Sequence, residues 1–167
     1  DASGVRNTRH SYFDGEGDQQ TQLPYPPGGV SEDALLHWAR GMAEPVLKPG
    51  ESRQVDVLAS LQLVRERHVP VAWTKATLAR AAGSQKVAVP AGTFEVEAFT
   101  VEFAGGGKRT FYVEKAAPRR IVKWEDSGGE KAEMLRSVRM KYWELNKPGG
   151  EAELKKLLLS PRPPRTT

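Results

Sequence analysis

The 167-residue sequence contains no cysteine. Disulfide bonds, thiolate nucleophiles and cysteine-ligated metal centres are therefore excluded, and the fold has to be stabilised by its core alone. The sequence also lacks any apolar run close to the roughly 20 residues that a membrane-spanning helix requires. The chain begins at Asp1 rather than at a methionine, so we expect any targeting segment to lie outside the given sequence.

Motifs for catalysis and cofactor binding are missing as well. The three histidines, His10, His37 and His68, occur in unrelated segments with no carboxylate at ligand spacing, so they predict no metal site. Nucleophile-elbow, phosphate-loop and dinucleotide-binding fingerprints are absent. The Gly-Gly-Gly-Lys run at 105–108 joins two predicted strands instead of opening a helix, so it lacks the geometry of a phosphate site. We therefore expect a non-enzymatic protein without a cofactor.

The composition has nearly balanced charges and enough apolar residues for a packed core. Hydrophobic residues make up 38% of the chain, which is enough for one packed domain at this length. The 25 Lys and Arg residues are interleaved with 21 Asp and Glu residues, leaving a net charge of +4. Because the two signs are not segregated and no nucleic-acid motif accompanies them, the composition argues against a nucleic-acid partner.

Turn formers divide the chain into three parts. Residues 1–30 are polar and rich in glycine and proline, which predicts an irregular lead-in. Ser31 has the character of an N-cap before apolar residues at helical spacing, so a helix is expected at about 31–43, at the start of a single β-rich domain spanning 31–145. The remaining residues, 146–167, predict a short helix at about 151–159 and a basic, proline-rich tail.

Residues 53–145 alternate between β-branched or aromatic stretches and Gly or Pro turns. The predicted strands are 53–59, 61–68, 71–81, 85–89, 93–104, 108–114, 120–126 and 131–145. Connections this short favour antiparallel neighbours. The fold class predicted is mainly β: an antiparallel meander forming a curved sheet, an open barrel or a half-barrel, with the N-terminal helix packed on it.

The predicted strand at 93–104 has an irregular alternation. Its large apolar residues change phase after Ala98: Phe94, Val96, Phe99, Val101 and Phe103. A β-bulge near Ala98 and Phe99 would place all five on one face and leave Glu95 and Glu97 facing solvent. The alternative is a strand that is buried on both faces.

The run Lys86-Val-Ala-Val-Pro-Ala-Gly-Thr-Phe-Glu95 resembles the V-x-V-P-A-G-T-F signature of a bacterial family of exported proteins, domain-of-unknown-function family 3108. The similarity extends over residues 45–145 through the aromatic pair Phe111-Tyr112 and the strand Pro118-Arg-Arg-Ile-Val-Lys-Trp124. The family's usual aromatic pair contains tryptophan, which Phe111-Tyr112 lacks, and the proline-rich tail has no counterpart. The resemblance implies a mostly β protein of the periplasm or cell envelope, and it supplies no catalytic residues.

Two hypotheses for function follow. In the first, a non-enzymatic envelope protein binds a lipid-like or other apolar ligand against a concave sheet face, because an aromatic lining suits such ligands. The expected lining residues are Phe94, Phe99, Phe103, Phe111, Trp124 and Met140. In the alternative, the protein is an interaction module that binds an acidic envelope protein or cell-wall polymer through a basic strand face. The expected basic residues are Arg119, Arg120, Lys123, Arg136, Arg139 and Lys141.

Overall fold

The computed structural model describes residues 4–157 and shows a mainly β protein. The strands are β1 (Val5–His10), β2 (Asp18–Leu23), β3 (Val30–Ser31), β4 (Ser52–Leu58), β5 (Trp73–Val89), β6 (Gly92–Phe103), β7 (Lys108–Glu114), β8 (Ile121–Asp126) and β9 (Lys131–Glu133). Strands β3 to β9 form one seven-stranded sheet in sequence order, while β1 and β2 form a separate hairpin. The large sheet is mixed, because β3 is parallel to β4 while all other neighbouring strands are antiparallel. The sheet is not closed.

The predicted meander is confirmed from β4 to β9. Four predicted strands agree with β4, β6, β7 and β8 to within one residue at each end. The predictions at 71–81 and 85–89 are parts of the single long strand β5. The predicted strand at 131–145 ends at Glu133, and only a 3₁₀ turn, Tyr142–Glu144, follows within that range.

The strand predicted at 61–68 is wrong, because these residues form helix α2 (Leu61–Arg67). Ser60 caps this helix by accepting a hydrogen bond from the Leu63 backbone N–H at 3.1 Å. The Glu32 carboxylate accepts another bond from the Ser60 N–H at 3.1 Å. The expected irregular lead-in is likewise replaced in part by the β1–β2 hairpin.

The two helices predicted at about 31–43 and 151–159 are shorter or tighter than expected. Residues 31–43 contain a 3₁₀ turn, Glu32–Ala34, followed by α1 (Leu35–Ala39), and Ser31 accepts a hydrogen bond from the Asp33 N–H as predicted for an N-cap. The C-terminal helix is a 3₁₀ helix, Gly150–Leu157. The last two residues of its predicted range, and the proline-rich tail, lie outside the described residues.

Strand β6 contains no bulge. Its register with β7 is continuous from Val96 to Glu102, and the irregularity in its pairing with β5 lies between Arg80 and Ser84 of β5. Because β6 alternates regularly, Phe94 and Phe103 point to opposite faces of the sheet. The alternative interpretation of the sequence, burial on both faces, therefore describes this strand: Phe99 is buried on one face and Val96 on the other.

The main core lies between α1 and the face of the sheet that carries Phe99, here called the core face. Its buried residues are Leu35, Trp38, Ala39, Leu47, Val55, Val57, Ala76, Leu78, Phe99, Val101, Phe111 and Val113. Burial of apolar area of this kind is the principal stabilising contribution to a fold without covalent cross-links. No helix in the described part of the chain is both long and apolar enough to span a membrane.

Among the described residues, the outer half of β5 is paired on one side only. Pairing with β4 ends at Ala79, and Arg80 makes the last backbone bonds to the chain before β4. Beyond it, the strand is paired with β6 alone as far as Val89. Strands β5 and β6 form a hairpin, and at its tip the Ala91 N–H donates a hydrogen bond to the Met134 carbonyl at 3.0 Å.

Candidate functional site: an arginine-lined cavity

The central residue of the candidate site is Glu97, in the middle of β6. It lies directly opposite Val113 of β7, and cross-strand partners share a face, so its carboxylate is on the core face. Glu97 is only 9% exposed. The expectation that Glu97 faces solvent is therefore wrong, and its burial requires a compensating positive charge.

Two arginines supply that charge. Arg80 of β5 donates a hydrogen bond from Nη2 to one Glu97 oxygen at 2.7 Å, and Arg119, in the turn before β8, donates from Nη1 to the other at 3.2 Å. Arg80 also donates to the Leu47 carbonyl at 3.0 Å. The carboxylate is thus held on both of its oxygens by groups from different parts of the chain.

A third arginine, Arg40, follows α1 and is bonded to the same turn. Its Nε donates to the Arg119 carbonyl at 2.9 Å, and Arg119 Nε donates back to the Arg40 carbonyl at 3.2 Å. Arg40 Nη2 reaches the Pro118 carbonyl at 3.3 Å. Arg119 has a φ of +59°, a left-handed conformation that costs a non-glycine residue on the order of 1 kcal/mol, and these bonds help to hold it there.

Aromatic rings form the floor of the site. The guanidinium carbons of Arg80 and Arg119 lie 5.7 and 5.8 Å from the centre of the Phe99 ring, within the range of cation–π attraction. The Trp38 ring packs edge-on against Phe99 at 5.6 Å and donates its indole N–H to the Pro45 carbonyl at 3.0 Å. The arginine positions are therefore fixed by packing as well as by hydrogen bonds.

The site holds Glu97 in its ionised form. Burial raises the pKa of the Glu97 carboxyl, but the hydrogen bonds and charges of Arg80 and Arg119 together outweigh burial and lower the pKa below its ordinary value of 4.5. The Glu97 carboxylate is thus bonded to two permanently positive groups, Arg80 and Arg119. These three side chains have an excess of one positive charge.

A cavity of about 190 Å³ opens among these groups. Its wall includes Trp38, Arg40, Val46, Arg80, Phe99 and Arg119. This volume is smaller than the roughly 300–1,000 Å³ of sites that enclose a whole small molecule. It suits a single planar or tetrahedral anionic group, and guanidinium groups match such groups in both charge and geometry.

A second arginine–glutamate pair lies on the opposite face of the sheet. Arg120 donates from Nε and Nη2 to the two oxygens of Glu114 at 2.7 and 2.8 Å, and its backbone N–H donates to the same carboxylate at 2.8 Å. Glu114 is 4% exposed. The hydrogen bonds from the Arg120 side chain are the main cause of the lowered pKa of Glu114, and they outweigh the effect of burial.

The predicted basic residues separate into paired and exposed groups. Arg119 and Arg120 bind Glu97 and Glu114, and Lys123 lies 2.8 Å from Glu125. Arg136, Arg139 and Lys141 are exposed in the segment after β9, where Lys141 lies 3.3 Å from Glu144. Of the six, only Arg119 lines the cavity.

The structure does not bring the six predicted apolar lining residues together. Phe99 and Phe111 are buried in the main core, and Phe103 and Trp124 pack against it. Phe94 is on the opposite face, under the guanidinium of Arg120 at 5.6 Å. Met140 lies after β9, in the wall of a separate cavity formed by C-terminal residues.

Sequence reasoning missed Arg40, Arg80 and Glu97 as parts of one site. They are separated by 40 and 17 positions in the chain. The pairing of β5 with β6 brings Arg80 to Glu97, and hydrogen bonds with Arg119 bring Arg40 to the site. One signal was available: Glu97 stands between Val96 and Ala98 in a strand with apolar residues of both phases. An acid between apolar residues in the middle of such a strand is a candidate for burial, and a buried acid requires a compensating partner such as arginine or lysine.

The described residues contain no group of three or more His, Asp or Glu side chains that could hold a metal ion. Comparison of the chain with protein-family models, with curated proteins and with solved structures finds no match. The geometry of the site and its surroundings is therefore the basis for the functional argument.

Proposed function

We propose that this protein is a non-enzymatic interaction module of the cell envelope that binds an acidic partner through the arginine-lined cavity. The single observation that supports this proposal is the charge of the cavity, whose wall contains the three arginines Arg40, Arg80 and Arg119. A carboxylate or similar anion of a partner would compensate the excess positive charge. The envelope location rests on the resemblance of residues 86–95 to the exported family.

Arg40 is the residue best placed to contact the partner. Arg80 and Arg119 already bind Glu97, whereas the hydrogen bonds of the Arg40 side chain go to the carbonyls of Arg119 and Pro118. These carbonyls orient the Arg40 guanidinium without neutralising its charge. An incoming anion would therefore gain a charge-assisted hydrogen bond without displacing Glu97.

We further propose that the open sheet curves as a half-barrel around α1, with the irregularity between Arg80 and Ser84 providing the bend. Bulges increase the local twist of a strand and let a sheet coil. The Ala91–Met134 hydrogen bond supports this shape, since it joins the β5–β6 turn to the chain just after β9, three strands along the sheet from β6. Such a bend would hold Arg80 and Arg119 on the same concave side.

The test uses hexaglutamate as the acidic probe and hexaglutamine as its neutral control, with affinity measured by calorimetry at low salt. Arg40→Gln should weaken hexaglutamate binding by about tenfold, as expected for loss of one charge-assisted contact. Arg67→Gln removes the same charge from the exposed end of α2 and should change the affinity less than about twofold, because exposed charges are screened.

Equal weakening by Arg40→Gln and Arg67→Gln would show attraction to net charge alone and would overturn the proposal. So would equal affinity for the two peptides. Arg40→Lys separates charge from geometry, because lysine keeps the charge but cannot make the forked contacts of a guanidinium. Circular dichroism and unfolding midpoints of each variant establish that the comparison is between folded proteins.

A further inference from the structure

We propose that residues 134–148, here called the aromatic–basic segment, bind the surface of a membrane that contains anionic lipids. This inference goes beyond the acidic-partner site, since it concerns other residues and a lipid surface instead of an acidic protein or polymer. Its basis is the combination of exposed aromatic rings with exposed positive charges in one short stretch.

The segment exposes three large apolar side chains, two of them aromatic. Leu135 is 59% exposed, Tyr142 70% and Trp143 61%. The Tyr142 and Trp143 rings lie 5.4 Å apart at a steep angle, so they form one aromatic pair at the surface. Tyrosine and tryptophan are the residues that favour the boundary between lipid headgroups and hydrocarbon, where one side of the ring is apolar and the other is hydrated.

The charge of the segment is strongly positive. It contains Arg136, Arg139, Lys141 and Lys147 against the single acid Glu144, an excess of three positive charges. Glu144 forms an ion pair with Lys141 at 3.3 Å. Arg136 and Arg139 are exposed, and in the described part of the chain neither makes a hydrogen bond or an ion pair. Anionic lipid headgroups attract basic residues of this kind at the membrane surface.

A lipid surface suits this segment better than a folded protein partner. Between the end of β9 and Pro148 it contains only the short 3₁₀ turn Tyr142–Glu144, so it offers no strand edge or helix face for a shaped counterpart. Protein interfaces depend on matched shape at their centre, whereas a bilayer interface accepts any arrangement of rings and cations near one plane.

A neighbouring concavity provides space for an acyl chain. It has a volume of about 580 Å³, and its apolar wall includes Met140, Tyr142, Leu145, Leu154 and Leu157. Lys147 is in the same wall, where a lipid phosphate could bind it. The concavity therefore extends the aromatic–basic segment with an apolar surface of lipid-like dimensions.

The experiment measures cosedimentation of the full chain with vesicles. Vesicles of 30% phosphatidylglycerol in phosphatidylcholine should bind the protein, pure phosphatidylcholine vesicles should bind it at least about tenfold more weakly, and high salt should reduce the difference. Soluble glycerophosphate at the same phosphate concentration should not compete, which distinguishes a membrane surface from a free phosphate group as the ligand.

Variants locate the contact. The pair Arg136→Gln and Arg139→Gln should weaken vesicle binding by about tenfold or more, while the matched pair Arg65→Gln and Arg67→Gln on α2 should change it less than about twofold. Trp143→Phe should abolish the blue shift of tryptophan fluorescence that accompanies binding while leaving most of the binding intact. Absence of binding to the anionic vesicles at low salt, or equal weakening by the two arginine pairs, would overturn the proposal.

Discussion

Arg119 and Arg120 are consecutive in the chain, yet they bind glutamates on opposite faces of the sheet. Arg119 contacts Glu97 on the core face, and Arg120 contacts Glu114, which lies directly opposite Val96 on the other face. Each glutamate is largely buried. The turn before β8 therefore neutralises two buried acids, one on each side of the sheet, with two adjacent residues.

Removal of the two arginines should have unequal effects on stability. Arg120→Ala removes the one arginine side chain that hydrogen-bonds Glu114 in the described part of the chain, and we expect a loss of about 2–3 kcal/mol in the free energy of unfolding. Arg119→Ala leaves Glu97 bound to Arg80, so the expected loss is about 1 kcal/mol. Urea denaturation at pH 7 measures both values, and equal losses would contradict the assignment of partners.

Stability should fall with acid because of the same two carboxylates. The pKa values of Glu97 and Glu114 are lowered in the folded protein, so their contribution is complete above the ordinary pKa of 4.5 and is lost as pH decreases through the folded values. Denaturation between pH 7 and pH 3 should show a shallower decline in a Glu97→Gln, Glu114→Gln double variant than in the natural sequence. Glu66→Gln on α2 is a control for removing an exposed acid.

Hydrogen exchange should alternate along the outer half of β5. The Glu95 carbonyl bonds to Lys115, on the β7 side of β6, so Glu95 and its partner Lys86 form a non-hydrogen-bonded pair. The amides of Lys86 and Ala88 therefore point to the unpaired edge and should exchange rapidly, whereas those of Gln85 and Val87 should be protected. Amide exchange followed by NMR tests this, and uniform protection would mean that another strand covers the edge.

Truncation of two phenylalanines should reveal the two faces of the sheet. Phe111 is 1% exposed in the main core, so Phe111→Ala should destabilise the protein by about 3–5 kcal/mol. Phe94 is half-buried on the opposite face, and Phe94→Ala should cost about 1–2 kcal/mol. Thermal unfolding measures the stability of both variants. A larger loss of stability for Phe94→Ala would contradict the assignment of the main core to the face that carries Phe99 and Phe111.

The strands were predictable where glycine and proline mark both ends of an apolar stretch. The hairpin through residues 104–107 and the turn at Pro90–Gly92 fix β6 and β7 closely. Alternation alone was insufficient at 61–68, since Leu61 and Leu63 fit a strand pattern while Ser60 acts as a helix cap. The phase change in β6 was visible, but its interpretation as a bulge was wrong because both faces of the strand are partly buried.

The candidate site was much less predictable than the strands. Residues 119 and 120 were recognised as basic surface residues, but their glutamate partners depend on strand register and on a turn in which Arg119 is left-handed. Neither property has a local sequence signal. Long-range ion pairs of this type become visible only when the fold is known.

The Ala91–Met134 hydrogen bond has a consequence for the motion of the protein. The outer half of the β5–β6 hairpin has no support from β4, so this bond and the pairing with β7 are what restrain it. We therefore expect a displacement of the chain after β9 to move the hairpin tip. The hairpin tip and the chain after β9 are therefore coupled, and we expect them to loosen together while the main core remains intact.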